Sequence, residues 1–395
     1  MYIDDIYAES YPLLVKNKEF VLSELKKEID RFESTLENGM KEFKKILEQK
    51  KEEKSVEIDG KSAFYLYDTF GFPLELTVEL AQEEGLKVDE EGFERAMEEQ
   101  KQKARDNQSF SARLSTDTAL YDELDESLVS EFTGYDTLQA ESSVAAIVSD
   151  GKWQDVLSEG QEGTIITVKT PFYATMGGQK GDFGVIKTAD GTFEVIDTVK
   201  VPGGRIGHIG KVVSGTIKKD AKADLSVSSL NRGNTCKNHT ATHLLQEALR
   251  EVLGDHVEQS GSYQDGERTR FDFSHGQAMT TEELKKVEEI VNAKIAEDLP
   301  VETKVMSLEE AKKTGAMALF GEKYGDTVRV VMIGDFSREL CGGTHVGHTG
   351  EIASFKILSE SGVAAGVRRI EAITGNNVTA YSVSYTHLRA HETRG

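Results

Sequence analysis

Four side chains of metal-ligating type form two pairs with the same spacing. His239 and His243 are four residues apart in a segment of helical character, and Cys341 and His345 repeat that spacing about a hundred residues later. Residues four apart share one face of a helix, so the two imidazoles can converge on one cation. Three imidazoles and a thiolate suit zinc far better than magnesium or calcium. The sequence therefore predicts one zinc site built from both pairs.

The role of such an ion depends on how many ligands the protein supplies. Four ligands close the coordination sphere, as in structural sites, whereas three ligands and a water leave a position for chemistry; the sequence leaves both open. The residues between the two histidines are Thr, Ala and Thr. The glutamate of the His-Glu-x-x-His metalloprotease helix is missing, so peptide hydrolysis is disfavoured. Cys236 is interpreted as a buried thiol rather than a further ligand.

Other chemical motifs are missing from the sequence. It contains no P-loop, no Gly-x-Gly-x-x-Gly followed by an acid and no Gly-x-Ser-x-Gly, so nothing visibly binds ATP. The longest apolar runs have five residues. A membrane span needs roughly 20 and a signal-peptide core roughly 7 to 15, so neither is expected. Two cysteines in 395 residues cannot build a disulfide framework, which indicates a reducing cytosol. We therefore expect a cytoplasmic protein.

Charge is unevenly distributed along the chain, whose net charge is −22. Residues 1–150 contain 18 basic and 36 acidic side chains, and residues 151–395 contain 29 and 33. Residues 200–240, here called the basic segment, contain two acidic side chains and the basic residues Lys200, Arg205, Lys211, Lys218, Lys219, Lys222, Arg232 and Lys237. Such a segment can bind phosphate in an acidic protein, because distant charges are screened. On charge alone, a solvated basic face is the favoured interpretation.

The periodicity predicts an α+β multidomain protein in three parts. Apolar residues at steps of three and four from Leu22 to Leu47 predict a long amphipathic helix, and residues 1–125 are expected to be helical. Short β-rich runs at 144–148, 164–168, 193–196 and 225–227 predict a small β-barrel or meander over 130–230. Helices at 239–253 and 281–297, with strands at 269–273, 328–333 and 367–373, predict an α+β domain over 231–380.

The last twelve residues, 384–395, are excluded from this assignment. They resemble translated sequencing-adapter read-through at the ends of environmental gene fragments. His387 and His391 are also four residues apart, and they are therefore treated as a decoy rather than as a second metal site.

Several ordered motifs resemble the middle of an alanyl-tRNA synthetase. Residues 31–39 and 66–73, with Thr77, are similar to the helical tRNA-recognition segment of that family, and residues 171–179, with Gly181 and Asp182, are similar to its β-barrel signature. Residues similar to its editing domain are 238–243, 259–262, 270–273, 318–325, 341–346 and 366–372. The sequence departs from the family pattern at Thr175 and Met176, where an acidic residue and a serine are usual. The resemblance covers residues 1–380 or so.

The resemblance implies a function and site residues. It implies hydrolytic editing of tRNA(Ala) mischarged with serine or glycine, with zinc held by His239, His243, Cys341 and His345. Thr242 and Gln259 would lie by the amino acid of the substrate. Gln259 offers both a donor and an acceptor to a serine hydroxyl; its alternative role is to satisfy a buried backbone group. Arg368 and Arg369, with Lys218 and Lys219, are candidate tRNA contacts, and for the arginines a surface-strand role is the alternative.

The resemblance also implies that this chain is a fragment. The family's activating core, which uses ATP and Mg²⁺ to charge tRNA with alanine, precedes every matched motif, and its oligomerisation region follows them. Two further hypotheses remain. One is a free-standing editing protein that begins at Met1. The other is a non-catalytic, zinc-stabilised module that binds tRNA through the basic segment. Neither a membrane nor DNA is expected as a partner.

Overall fold

The computed structural model describes residues 18–53, 55–106, 118–121, 123–317, 325–364 and 366–383. The chain divides into two units, residues 1–109 and residues 110–395. Residues 318–324 of the predicted 318–325 motif, and the whole 384–395 segment with His387 and His391, lie outside the described residues.

The described part of the first unit is mainly helical. Its helices are α1 (Lys18–Glu52), α2 (Gly60–Phe70), α3 (Leu74–Glu83) and α4 (Glu90–Asp106), and a short parallel pair is formed by β1 (Glu57–Ile58) and β2 (Lys87–Val88). Phe43, Leu47 and Phe72 are buried in its core. The long predicted helix is thus present, but only its second half is buried: Leu22 and Leu25 are each 55% exposed. Periodicity identifies an apolar face, and it does not show whether a partner covers that face.

The second unit begins with short elements and a ring of strands. These elements are α5 (Thr118–Tyr121), β3 (Glu131–Phe132), β4 (Gln139–Ser149), β5 (Lys152–Trp153), β6 (Val156–Ser158), β7 (Glu162–Thr167), β8 (Lys169–Thr170), β9 (Gly184–Thr188), β10 (Gly191–Val201), β11 (Arg205–Lys218) and β12 (Lys222–Val227). Within the described residues, the antiparallel order β10-β9-β12-β4-β7-β11 closes because β10 also pairs with β11. Its interior is filled by Ile147, Ile165, Ile186, Phe193 and Leu225. The β-rich runs therefore form a barrel-like sheet.

Helices and two further sheets follow the barrel. The elements are α6 (Ser229–Leu253), β13 (Gln259–Gln264), β14 (Thr269–Ser274), α7 (Thr281–Ala296), β15 (Val301–Ser307), α8 (Leu308–Lys313), β16 (Thr327–Ile333), β17 (Ser337–Leu340), a 3₁₀ helix (Thr349–Ile352), β18 (Phe355–Ala364) and β19 (Val367–Thr374). Among the described residues the sheets have the orders β13-β14-β19-β18 and β15-β16-β17. Leu245 of α6, Val287 of α7 and Phe271 of β14 share one core.

One local prediction was wrong, and one strand was not predicted. Helix α6 begins at Ser229 rather than at His239, because the Ser228 side chain accepts a hydrogen bond from the Asn231 amide and caps the helix there. The histidine pair consequently lies in the middle of the helix. Strand β11, the longest strand described, was not predicted, because Gly207, Gly210 and Gly215 interrupt its apolar pattern.

Across the described ranges, no helix has both the length and the apolar character needed to cross a membrane.

Candidate metal centre and the adjoining cavity

The two predicted ligand pairs meet in one cluster. His239 and His243 project from α6, while Cys341 and His345 lie in the loop after β17. The four ligating atoms all lie within 4.8 Å of one another. The Cys341 Sγ is 3.4 Å from Nε2 of both His239 and His345. Tetrahedral zinc with bonds of about 2.0–2.3 Å requires ligand atoms roughly 3.5 Å apart, so this spacing fits zinc.

Each imidazole of the cluster has its Nδ1 held against a protein oxygen. The pairs are His239 with Gln179 Oε1 (2.9 Å), His243 with Glu339 Oε2 (2.7 Å) and His345 with Thr240 Oγ1 (3.1 Å). This arrangement orients Nε2 toward a shared cation, as outer partners of metal-bound histidines do. Among the described residues, the buried Nε2 of His243 has no hydrogen-bond partner. A metal ion at the shared position would account for this unpartnered nitrogen.

The electrostatics of the cluster favour a thiolate. Burial raises the pKa of the Cys341 thiol, but His239 and His345 outweigh it and hold that pKa well below its ordinary value. Burial and the neighbouring His239 lower the pKa of His345 to about 3, which keeps this imidazole neutral. Burial also opposes charge on His243, yet Glu339 and Cys341 together raise its pKa well above the ordinary value. The thiolate of Cys341 and the neutral imidazole of His345 are protonation states that bind zinc, whereas an ion would have to displace the proton that Glu339 and Cys341 favour on His243.

The loop that carries Cys341 is held by hydrogen bonds to three successive backbone carbonyls. The guanidinium of Arg329 donates to the carbonyls of Cys341 (3.1 Å) and Gly343 (2.6 Å), and the Tyr135 hydroxyl donates to the carbonyl of Gly342 (2.6 Å). The same guanidinium lies over the Tyr135 ring, 4.1 Å from its centroid. A Cβ at Gly343 would collide with the ring of His239. The loop is therefore fixed by β16 and by the segment that enters the barrel.

The barrel contributes Gln179 to this cluster. The fully buried Gln179 accepts from the Thr344 amide (2.8 Å) as well as from His239, and it donates to the Thr344 hydroxyl (2.8 Å). Gln179 follows a two-residue turn in which Gly177 and Gly178 have φ of 59° and 85°. Positive φ at both central residues is typical of a type I′ turn and favours glycine. This barrel turn thus fixes the tautomer of one histidine of the cluster.

Thr175 and Met176, at which the sequence departs from the family pattern, lie at the start of this turn. The Thr175 hydroxyl accepts a hydrogen bond from the Gly181 amide (2.8 Å), and the backbone of Met176 pairs with that of Gln179. The threonine therefore stabilises the turn from within.

A buried ion pair joins the barrel to α6. Arg232 is 4% exposed and donates to the carboxylate of Asp182, to the carbonyl of Gly134 (2.6 Å) and to that of Pro171 (2.9 Å). Arg205, also in the basic segment, is 3% exposed and donates to backbone carbonyls, among them those of Leu128 and Asp125. These two arginines are structural, which reduces the charge that the basic segment offers to a partner.

A cavity of about 220 Å³ opens beside the cluster. It is lined by His239, His243 and Cys341 and by both predicted substrate residues, Thr242 and Gln259. The buried Thr242 hydroxyl donates to the carbonyl of Asn238 (2.8 Å). The Gln259 side chain is partly exposed and donates to the Ser262 hydroxyl (3.3 Å). The structure thus brings together the metal cluster and the residues expected to face the amino acid.

Comparisons with known proteins place this chain in a family. The family model "tRNA synthetases class II (A)" matches residues 2–230, and that for "Threonyl and Alanyl tRNA synthetase second additional domain" matches residues 328–371. The protein is 50% identical over 379 residues to alanine--tRNA ligase 1 of Lachnoclostridium phytofermentans, covering 95% of this chain and 43% of that relative. It is 46% identical over 376 residues to alanine--tRNA ligases of Bacillus thuringiensis subsp. konkukian and Bacillus anthracis, covering 95% of the chain and 42% of each.

The chain belongs to the alanyl-tRNA synthetase family. It spans less than half the length of the curated relatives it matches. Cys341 and His345 lie inside the second matched range, whereas His239 and His243 lie between the two ranges. The cluster of this family member therefore joins residues inside the second family-model range with residues between the two ranges.

The four candidate tRNA contacts of this family member lie away from the cavity lining. Arg368 pairs with Glu360 through two hydrogen bonds (2.5 and 2.9 Å), and Arg369 pairs with Asp272 in the same way (both 2.7 Å). Lys218 is exposed and contacts Asp190 (2.7 Å), and Lys219 is exposed at the end of β11. A phosphate would have to compete with a carboxylate for three of these four side chains.

The residues that orient the histidines of the cluster were not predicted from the sequence. Glu339 lies two positions before Cys341, Thr240 lies between the two histidines, and Gln179 ends the barrel signature. Each lies inside or next to a quoted motif, but its position in the sequence did not indicate contact with the cluster. Gln179 is 60 residues from its partner His239.

Proposed function

We propose that this family member hydrolyses the ester bond of tRNA(Ala) mischarged with serine or glycine, with zinc as its cofactor. The observation that carries the proposal is the cavity of about 220 Å³, whose wall contains three of the four cluster residues beside Thr242 and Gln259. A pocket built for alanine cannot strongly exclude glycine or serine, so a second hydrolytic site is the general remedy. Charging of tRNA with alanine, using ATP and Mg²⁺, is proposed for the complete family member in the cytoplasm.

His239, His243, Cys341 and His345 would hold the ion. Zinc, when bound, supplies a Lewis acid and an electrostatic anchor beside the cavity. Gln179, Glu339 and Thr240 keep each Nε2 turned toward the shared position through their contacts with Nδ1. The protein thereby supplies a preorganised set of ligands rather than one assembled on binding.

The cavity walls would position the aminoacyl group and its water. Gln259 carries an amide at the partly exposed side of the cavity, where it can contact the amino acid. Thr242 is buried and fully hydrogen-bonded, so its role is to hold the wall of the cavity rather than to carry a proton. Hydrolysis then depends on placement of the water and the ester, which can contribute a large part of a rate enhancement.

A second candidate is a non-catalytic, zinc-stabilised module that binds tRNA. The observation that favours it is the set of four protein ligands, because a closed tetrahedral set is typical of structural zinc. The burial of Arg205 and Arg232 counts against it, since the basic segment retains fewer free charges for phosphate.

The two candidates are separated by measuring zinc and hydrolysis in the same sample. We expect the full chain to release serine from seryl-tRNA(Ala), to lose this activity when a chelator removes zinc and to regain it when zinc is added. Full zinc occupancy without hydrolysis above the uncatalysed rate, together with salt-dependent tRNA binding, would support the module instead.

A further inference from the structure

A second unpartnered polar atom lies in the wall of the cavity. Among the described residues, the buried atoms without a hydrogen-bond partner that belong to cavity-lining side chains are Nε2 of His243 and Oε1 of Gln264. The first is explained by the metal cluster. Gln264 is fully buried, at 0% exposure, and nothing in the cluster explains its free oxygen.

The backbone of Gln264 is held in place by the barrel. Its amide donates to the carbonyl of Gly178 (2.9 Å), and its carbonyl accepts from the amide of Lys180 (2.9 Å). These two bonds are made to the residues on either side of Gln179, so Gln264 is fixed at the end of β13 against the barrel turn. A side chain on a fixed backbone can offer an acceptor in a defined place.

The other end of the Gln264 amide is already engaged. Its Nε2 donates to the Thr242 hydroxyl (3.4 Å). That hydroxyl gives its own hydrogen to the Asn238 carbonyl and is 2.6 Å from the Thr269 hydroxyl. Thr242 therefore has no hydrogen left for a ligand, and Nε2 of Gln264 is oriented by this contact. Oε1 is therefore the end of the amide that has no partner, on a residue that lines the cavity.

We infer that Gln264 Oε1 accepts a hydrogen bond from the hydroxyl of a seryl group in the cavity, and so makes hydrolysis selective for serine over glycine. This inference rests on the proposed function. A neutral hydroxyl suits a single buried amide oxygen, whereas an ammonium would lose much of its solvation for one neutral acceptor. Glycine has no such hydroxyl, so a site that uses this oxygen gains affinity for serine alone.

The test compares Gln264→Met with the unaltered full chain on seryl-tRNA(Ala) and glycyl-tRNA(Ala). Methionine keeps an unbranched side chain of similar length and removes the acceptor. Loss of one hydrogen bond to a neutral group predicts a roughly ten-fold lower kcat/KM for the seryl substrate. The glycyl substrate should change less than about two-fold. Zinc content, measured in the same samples, should be unchanged.

Two further variants keep the inference falsifiable. Gln264→Glu retains an acceptor oxygen and should preserve the preference for serine. Gln246→Met removes an amide from another wall of the same cavity, and any loss it causes should affect both substrates alike. Equal losses on both substrates with Gln264→Met, or no loss on either, would overturn the role of Gln264.

Failure of the proposed function would look different. In that case the unaltered chain would hydrolyse neither substrate. The inference can still be measured through the affinity for adenosine 3′-amides that carry serine or glycine and cannot be hydrolysed. A preference of the unaltered chain for the seryl amide that disappears in Gln264→Met would support the inference; the same affinity for both amides would refute it.

Discussion

The metal cluster and the basic residues use polar side chains in opposite ways. In the cluster, every imidazole has its Nδ1 bound to protein, and Nε2 remains directed at a common point. The arginines expected to contact phosphate have their donors bound to protein carboxylates: Arg368 to Glu360, and Arg369 to Asp272. One region therefore offers its chemistry to a ligand, and the other uses it within the fold.

The difference follows from where the partners come from in the sequence. Spacing on one helix fixes which side chains share a face, so histidines four apart could be expected to converge. The carboxylates that pair with the arginines lie on neighbouring strands, and cross-strand neighbours depend on a register that spacing does not reveal. Residue type thus shows which chemistry is present, and only the structure shows whether that chemistry is available.

The largest expected effect tests the cluster directly. Cys341→Ala removes one of four ligands and should weaken zinc binding by at least about a hundred-fold, since the binding free energy of such sites is shared among few bonds. A competition titration with a chromogenic chelator measures this. His348→Ala removes an exposed histidine three positions from His345 and serves as the control. Unchanged zinc affinity in Cys341→Ala would mean that this cluster does not bind the ion.

A somewhat smaller effect is expected from the barrel residue that contacts the cluster. Gln179→Met removes the partner of His239 Nδ1 and should lower zinc affinity by about 10- to 100-fold. Gln179→Glu keeps an acceptor for His239 and should retain most of the affinity. Gln161→Met, elsewhere in the barrel, is the control, because Gln161 accepts from Ser158 and touches no cluster residue. If Glu and Met weaken zinc binding equally, the hydrogen bond to His239 is not the cause.

His208 differs from His243 because both of its ring nitrogens have hydrogen-bond partners within the protein. His208 in β11 donates from Nδ1 to the Ile165 carbonyl and accepts at Nε2 from the Thr170 hydroxyl (both 2.8 Å). Burial lowers its pKa to about 4. Because the folded-state pKa lies below the unfolded value, the unfolded chain takes up the proton first as pH falls. The stability that the neutral His208 contributes is therefore present above about pH 6.5 and is lost progressively as the pH falls toward 4.

Titration of His208 is expected to lower the free energy of unfolding by about 2 kcal/mol between about pH 6.5 and pH 5. Urea unfolding of the zinc-loaded chain at both values measures it. A His208→Gln variant, which cannot titrate, should lose less stability over the same interval. Identical pH dependence in the two proteins would show that another group is responsible.

The smallest effect tests whether an engaged arginine can be made available. Asp272→Asn leaves Arg369 with a weaker partner and should raise affinity for tRNA a few-fold, with a salt dependence steeper by about one. Arg369→Gln alone should change the affinity less than about two-fold, because its guanidinium is already paired. Fluorescence anisotropy across a salt series measures both the affinity for tRNA and its salt dependence. A marked loss of affinity in Arg369→Gln would mean that Arg369 contacts phosphate despite its ion pair.

Local patterns predicted several helices and strands and the composition of the cluster. The apolar periodicity of α7 and the β-rich run of β16 correspond to the observed elements within a few residues, because each pattern is set by its own neighbours. The four ligands were identified from residue type and spacing, and the structure brings them together. These features needed no knowledge of the tertiary fold.

What could not be predicted depends on contacts between distant segments. Gln179 reaches His239 only because the barrel turn lies against α6, and Gln264 acquires its place through the same turn. The exposed Leu22 and Leu25 give another example, since the periodicity identified an apolar face but did not show whether that face is buried. The sequence favoured a solvated basic face that included Arg232, whereas the structure buries this side chain in an ion pair with Asp182.

The contact between Gln179 and His239 makes barrel docking and metal binding thermodynamically reciprocal. If the docked barrel increases the affinity of the cluster for an ion by some factor, then the ion must strengthen docking of the barrel by the same factor. Cellular zinc supply would then determine how firmly two parts of one polypeptide adhere. If zinc binds the cluster, the contact of Gln179 with His239 would couple occupancy of the metal site to the rigidity of the barrel turn against α6.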